Sequence, residues 1–195
     1  KTLQRNNINP KRIYIFVADN TERLNYINYL DSNLYGKIII GVKGIRNQRI
    51  FISKYFNKGE YIVSCDDDIE DFYRLKMVDN KKTLETIKNI EYEIMTNFLI
   101  CRNYDKYLWG VNAHHNPYWM NEDAVCGLYF CVGVFYGYIN RHMEDLYPVC
   151  EVKEDYEQVI LFCKKDKGVI RRNDLAFKTK YNAPGGLGQD RFERN

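Results

Sequence analysis

The sequence predicts an α/β fold, a mixed sheet flanked by helices, on three observations. The first seventy residues alternate short β-rich runs with helically spaced apolar residues, the pattern of a parallel sheet with crossover helices. The third β-rich run, Tyr61-Ile62-Val63-Ser64-Cys65, passes straight into Asp66-Asp67-Asp68, and open α/β sheets bind ligands outside the carboxyl ends of their strands. The chain is 45% hydrophobic over 195 residues, ordinary for a globular protein and long enough for a substantial core. It reads as one domain, 1–195, with a composition shift near residue 103 that divides it into a first half (1–103) and a second (104–195).

Lys1 to Asn9 reads as the tail of a helix, broken by Pro10. Arg12 to Ala18 is β-rich. Thr21 to Leu30 places Leu24, Ile27 and Leu30 at helical spacing, with Asp19, Asn20 or Thr21 as N-cap. Lys37 to Val42 is a second buried strand, and Ile50 to Phe56 a helix. The spacing predicts a long helix over Lys82 to Cys101, its stripe formed by Leu84, Ile87, Ile90, Ile94, Phe98 and Leu99. Tyr107 to Val111 is a strand. Ala124 to Ile139 is a long β-like run, and Gly127, Gly133 and Gly137 within it predict bulges or close backbone approach. Glu154 to Lys164 reads as a helix, Val169 to Arg172 as a short strand, and Asn182 to Gly188 as a flexible loop.

Composition excludes several classes. A net charge of +3 is too weak to argue nucleic-acid binding by itself. Six cysteines without a CxxC pair argue against zinc or a disulfide framework, and several sit in apolar runs as buried thiols would in a reducing, intracellular compartment. No apolar run is long enough to span a membrane, so no membrane partner is expected. The abundant tyrosine fits a sugar- or base-lined cleft, and fits equally an AT-rich coding sequence.

Three adjacent carboxylates repel one another unless a cation lies between them. Mg²⁺ or Mn²⁺ with oxygen ligands is one solution, commonly shared with a substrate diphosphate. A solvated acidic turn or helix N-terminus is the other. Arg46-Asn47 follows the second strand about twenty residues upstream, and an arginine fork there can meet a phosphate or base carbonyl held near the acids. Lys153-Glu154-Asp155-Tyr156-Glu157 reads either as a charged helix start or as the seat of a general base. His114-His115 is read as part of a pocket-lining loop, because adjacent residues on an extended chain face opposite ways. Tyr118 and Trp119 stack on a ligand ring or form a half-buried aromatic loop. Gly185 to Arg191, with Arg171-Arg172 upstream, either closes over a diphosphate or is a flexible tail; it lacks the lysine and context of a P-loop.

Asp19 after one strand, Gly44-Ile45-Arg46-Asn47 after the next and Asp66-Asp67-Asp68 after the third resemble the nucleotide-sugar half of GT-A glycosyltransferases. The fuller run from Gly41 to Gln48 and from Cys65 to Glu70 resembles the TET/JBP-associated group, which contains base-J-type DNA glucosyltransferases. The resemblance covers residues 11 to 75 best. It implies a metal-dependent inverting transferase that uses Mn²⁺ or Mg²⁺ and a UDP-sugar, with UDP-glucose expected. The implied acceptor is the hydroxymethyl group of a modified pyrimidine in DNA; a glycan, lipid or protein acceptor and a non-catalytic DNA-binding module are the alternatives. Asp19 would contact uracil, and Arg46 and Asn47 the uracil and diphosphate. Asp66 and Asp67 would reach ribose or the metal's water, Asp66 and Asp68 would serve the metal, and Arg191 would approach the donor. Asp155, with Glu154 beside it, would supply the base. Such enzymes open with a further strand and polar loop that this sequence does not show, so the resemblance also implies trimming ahead of Lys1.

Overall fold

In the computed structural model, which describes residues 2–180, a curled mixed sheet is flanked by helices. A short helix α1 (Thr2–Arg5) and a 3-10 turn at Pro10–Arg12 lead into β1 (Tyr14–Val17). Asp19 caps α2 (Asn20–Tyr29), its Oδ1 accepting from the Glu22 N–H at 3.0 Å, while Glu22 Oε2 accepts from the Ala18 N–H at 2.7 Å. The first bond satisfies a donor that the first helical turn leaves open, and the second holds the chain entering the helix. β2 (Lys37–Ile40) lies parallel to β1. α3 (Ile45–Tyr55) follows and begins five residues earlier than its apolar run suggests, so Arg46 and Asn47 sit in its first turn.

β3 (Tyr61–Cys65) does not join β1 and β2. It is an edge of a second sheet in which β3 pairs with β8 (Phe135–Ile139), β8 with β6 (Leu108–Asn112), β6 with β9 (Val169–Thr179), β9 with β4 (Ile69–Val78) and β4 with β5 (Lys81–Thr86), while β7 (Ala124–Gly127) also pairs with β9. The expected run of parallel pairing therefore stops after two strands. Among the described residues the larger sheet is mostly antiparallel, and only β6 and β9 run parallel.

The long helix expected over Lys82 to Cys101 is two elements. β4 (Ile69–Val78) and β5 (Lys81–Thr86) form a hairpin, and α4 (Ile90–Asn103) starts only after it. The hairpin turns on Asp79 and Asn80, both at positive φ (50° and 60°), the backbone a two-residue type I′ connection requires and Asn tolerates. The stripe on α4 is real, though it carries polar residues. Ile90, Glu93, Asn97, Phe98 and Cys101 are buried, whereas Leu99 is 56% exposed. Asn97 Oδ1 accepts from Arg172 Nη1 at 2.9 Å, Arg74 pairs with Glu93 at 2.5 Å, and Asp174 holds Arg172 at 2.6 Å. Arg172 is therefore neutralised inside the structure rather than free to meet a phosphate.

β6 (Leu108–Asn112) is wholly buried. The long β-like run divides into β7 (Ala124–Gly127) and β8 (Phe135–Ile139). Gly137 lies opposite Trp109, and a Cβ there would stand 2.4 Å from the indole, a close approach that only glycine allows. α5 (Glu154–Asp166) packs Val159 and Phe162 onto Leu108, Tyr138 and Val169. β9 (Val169–Thr179) runs well past the short strand expected, bends between its β6 and β4 pairings, and ends beside Ile69. All six cysteines are free: Cys101 and Cys131 are buried as expected, but Cys126 and Cys150 are exposed. Among the described residues no helix is long and apolar enough to cross a membrane. The Asn182 to Gly188 loop and Arg191 lie outside the described residues.

Candidate active site

β3 is antiparallel to β8, β8 is antiparallel to β6, and β6 is parallel to β9. The carboxyl ends of β3, β6 and β9 therefore share one rim of the sheet with the starts of β8 and β4. Asp66-Asp67-Asp68 crosses that rim from β3 to β4. The Asp66 N–H donates to Val134 O at 2.9 Å, and the Lys180 N–H donates to Asp68 O at 3.2 Å. Backbone bonds at both ends fix the three carboxylates along the lip of a large cavity whose wall also holds Tyr26, Gln48 and Arg49.

The three acids differ in surroundings. Desolvation pushes the Asp66 carboxyl up to about 6; Arg49 opposes the shift, and Asp68 and Asp67 reinforce it. Asp68 is also raised, by burial and then by Asp67. Its Oδ1 is buried and, among the described residues, has no hydrogen-bond partner. Asp67 Oδ2 accepts from the Tyr26 hydroxyl at 2.9 Å, and burial together with Asp67 pushes that phenol up to about 12, so it stays a donor. Burial and the same acids push the Cys65 thiol up to about 12, which removes it as a thiolate ligand or nucleophile.

Asp155 is tied to this rim by two residues of chain. Its Oδ2 accepts from the Gly133 N–H at 3.1 Å, and the next residue, Val134, holds Asp66. Asp155 Oδ1 accepts from the Tyr156 N–H at 3.0 Å. Each oxygen keeps a further lone pair. Glu154 is placed differently. Its carboxylate is 8% exposed and pairs with Arg49 Nε at 3.0 Å, which occupies it structurally.

Arg49 is the residue that reading the sequence missed. Besides Glu154 it donates to the Tyr136 hydroxyl at 2.6 Å and to Gly133 O at 3.3 Å. A Cβ on Gly133 would stand 2.5 Å from Arg49 Nη2, so glycine is what admits the guanidinium. Burial disfavours its charge, but Tyr136 and Glu154 outweigh burial and hold it firmly protonated. The available signal was helical spacing: Ile45, Arg49, Ile52 and Phe56 share one face of α3, which places a charge on an apolar stripe.

Among the described residues, Glu154 and Asp155 do not line the cavity itself, and neither do the other expected residues outside Asp66 to Asp68. Arg46 spans from Asn47 Oδ1 (2.8 Å) to Val149 O (2.9 Å), next to the loop that Glu157 holds through the Val149 and Cys150 N–H groups. Asn47 faces Arg46, and Asp19 is spent on its cap. His115 stacks on Tyr73 at 6.0 Å. Tyr118 and Trp119 are exposed and packed edge-on against each other.

Among the described residues no three His, Cys, Asp or Glu side chains are grouped to hold an ion. The carboxylates present are nonetheless of the oxygen-donor kind that suits a hard divalent cation when the protein would supply only part of its coordination. Two raised carboxylates, one with an orphaned buried oxygen, are what a Mg²⁺ or Mn²⁺ site resembles when substrate phosphates and water complete it. No protein-family model matches the chain, and comparison with curated proteins and with solved structures likewise returns no match.

Proposed function

We propose that the chain is a metal-dependent inverting glycosyltransferase of GT-A type that moves a sugar, glucose in the first instance, from a UDP-sugar to the hydroxymethyl group of a modified pyrimidine in DNA. The observation that carries the donor half is the fixed crossing of Asp66-Asp67-Asp68 along the sheet rim, with the Asp68 oxygen buried and unpartnered. The acceptor rests on the likeness of Gly41 to Gln48 and Cys65 to Glu70 to the TET/JBP-associated sequences.

Asp66 and Asp68 would hold Mn²⁺ or Mg²⁺, which when bound neutralises the diphosphate of the leaving UDP. Asp67, oriented by Tyr26, is free to accept from a ribose hydroxyl. Asp155 takes the proton from the acceptor oxygen as that oxygen attacks the anomeric carbon and the bond to UDP breaks. Gly133 fixes the orientation of Asp155 through its N–H. Arg49, by closing on Glu154 and Gly133, holds the start of α5 against the rim. One displacement on one face inverts the anomeric centre.

The test incubates the protein with UDP-glucose, Mn²⁺ and duplexes carrying 5-hydroxymethyl or unmodified pyrimidines. The expected result is a hexose mass gained by the hydroxymethylated strand alone, β-linked, and lost with Asp68→Ala. Hydrolysis of UDP-glucose without DNA transfer moves the acceptor to another class. Absence of both UDP binding and hydrolysis overturns the reading.

A further inference from the structure

The loop between β7 and β8 lies along α5. The Cys163 thiol donates to Gly127 O at 3.2 Å, and about two turns nearer the helix start Phe130 stacks on Tyr156, with ring centres 3.9 Å apart and planes 17° apart. The stack covers one face of the tyrosine ring. Tyr156 is nonetheless 51% exposed, so the opposite face is open to solvent. Leu128 on the loop and Ile160 on the helix are 71% and 55% exposed. Helical spacing sets Tyr156, Ile160 and Lys164 along one face of α5.

Cations border this aromatic and apolar patch. Lys164 and Lys167 are exposed. Arg171 lies over the Tyr129 ring at 5.1 Å, and its Nε donates to the uncharged Asn173. Among the described residues none of the three enters an ion pair. The nearby acids are engaged elsewhere. Glu154 holds Arg49, Glu157 holds the Val149 and Cys150 N–H groups, Asp166 holds Arg141, and Asp123 accepts from Asn173.

Charge and shape together select the occupant. A flat open ring held in a fixed plane suits a third ring, and free cations beside it suit an anion. A neutral sugar uses the ring but not the cations, and an acidic peptide the cations but not the ring. A nucleic-acid strand uses both, stacking its bases on aromatic side chains while basic residues follow its phosphates. Within a duplex both faces of a base are covered by its neighbours, so only an unpaired base can take the tyrosine. Asp155 immediately precedes Tyr156, and Gly133, which donates to Asp155, lies three residues beyond Phe130. A base laid on Tyr156 therefore stands next to that carboxylate.

We propose that Tyr156, backed by Phe130, is a stacking platform for one base of an unpaired nucleic-acid strand whose phosphates pass Lys164, Lys167 and Arg171. The platform stands on these contacts alone; that the stacked base is the one presented to Asp155 rests on the glycosyltransferase reading.

Fluorescence anisotropy of a labelled pyrimidine strand of about ten nucleotides tests it, against the same strand in a duplex and an abasic strand of equal length, over a range of salt. The single strand should bind at least about fivefold more tightly than either competitor, the lower bound for one stacked base. Tyr156→Ala should weaken it by at least the same factor, and Tyr156→Trp, which keeps a stacking face, should retain it. Lys164→Gln/Lys167→Gln should lower the slope of log affinity against log salt by about 1.4, two single-strand phosphate contacts. Equal binding of the abasic strand, preference for the duplex, undiminished affinity in Tyr156→Ala or no binding of any strand overturns the proposal. UDP binding and UDP-glucose hydrolysis by the native chain without DNA separate the two readings. Strand binding without either keeps the platform and removes the transferase; hydrolysis without strand binding removes the platform alone.

Discussion

Arg49→Met puts the organisation of the site to a quantitative test. In the native protein the guanidinium is 10% exposed, its partner carboxylate on Glu154 8% exposed, and the two are 3.0 Å apart. Methionine preserves much of the stem's volume and removes the charge. Glu154 is then left buried and unpaired, and the loss of one partner of such a pair costs about 3–5 kcal/mol. Gly133 O and the Tyr136 hydroxyl also lose a donor, which pushes the cost toward the upper end. For a domain of this size, about 2–4 °C of Tm per kcal/mol gives a fall of roughly 6–20 °C. Urea unfolding followed by far-ultraviolet circular dichroism measures it. The double variant Arg49→Met/Glu154→Met removes both charges and should recover most of the loss, giving a coupling energy of about 2 kcal/mol or more. A single variant within about 1 kcal/mol of wild type, or additive single changes, would refute the claim that Arg49 and Glu154 form one buried unit.

Asp68→Ala should abolish sugar transfer while leaving Tm equal or higher, because it relieves repulsion among the acids; undiminished transfer would remove Asp68 from the site. Asp155→Asn should cut turnover by about 10²–10⁴-fold with UDP affinity unchanged, and a near-normal rate would exclude it as base. Asp66 is raised from 3.8 to about 6 in the folded protein, so between those values the folded state holds the extra proton. Stability without metal should therefore fall as pH rises from about 4 through about 6 and then level, and Asp66→Asn should flatten that limb of a urea-midpoint profile. Mn²⁺ affinity should move the other way, rising through the same window because the metal needs the carboxylate; an affinity independent of pH there would count against Asp66 as a ligand. Asn80→Gly should stabilise the hairpin by a few tenths of a kcal/mol up to about 1, since glycine accepts the positive φ at no steric cost; destabilisation in a thermal melt would contradict the turn assignment.

How much of this was legible in the sequence depends on what each signal can encode. The β1-α2-β2-α3-β3 alternation was readable because each element is short and local: Asp19 caps, Ile38 and Ile39 pair, and the acids terminate β3. The Ile69–Thr86 hairpin was not. Leu84, Ile87 and Ile90 fall at a three-residue spacing by coincidence, and the apolar residues of β5 are diluted by Lys81, Lys82 and Glu85. Asp79-Asn80 was the competing cue: two residues able to adopt positive φ between β-prone runs mark a turn even without glycine. Strand pairing was legible only in part, because alternation predicts neighbours in the chain, and β3 finds its partner in β8, more than seventy residues on. The place of Asp66 to Asp68 just past the end of β3 could be read from position alone, since a strand end needs no tertiary partner to be recognised. Arg46 and Arg49 reverse the expectation. Both are arginines at the start of one helix, but three positions turn the helix by about 300°. That rotation sends Arg46 outward to Val149 and Arg49 inward to Glu154. A motif read as consecutive letters cannot see that rotation, whereas the periodicity of Ile45, Arg49, Ile52 and Phe56 does. The inward arginine is the one whose charge the protein has spent buried carboxylate and carbonyl oxygens to keep, and it is there that the acids of β3 and the start of α5 are held together.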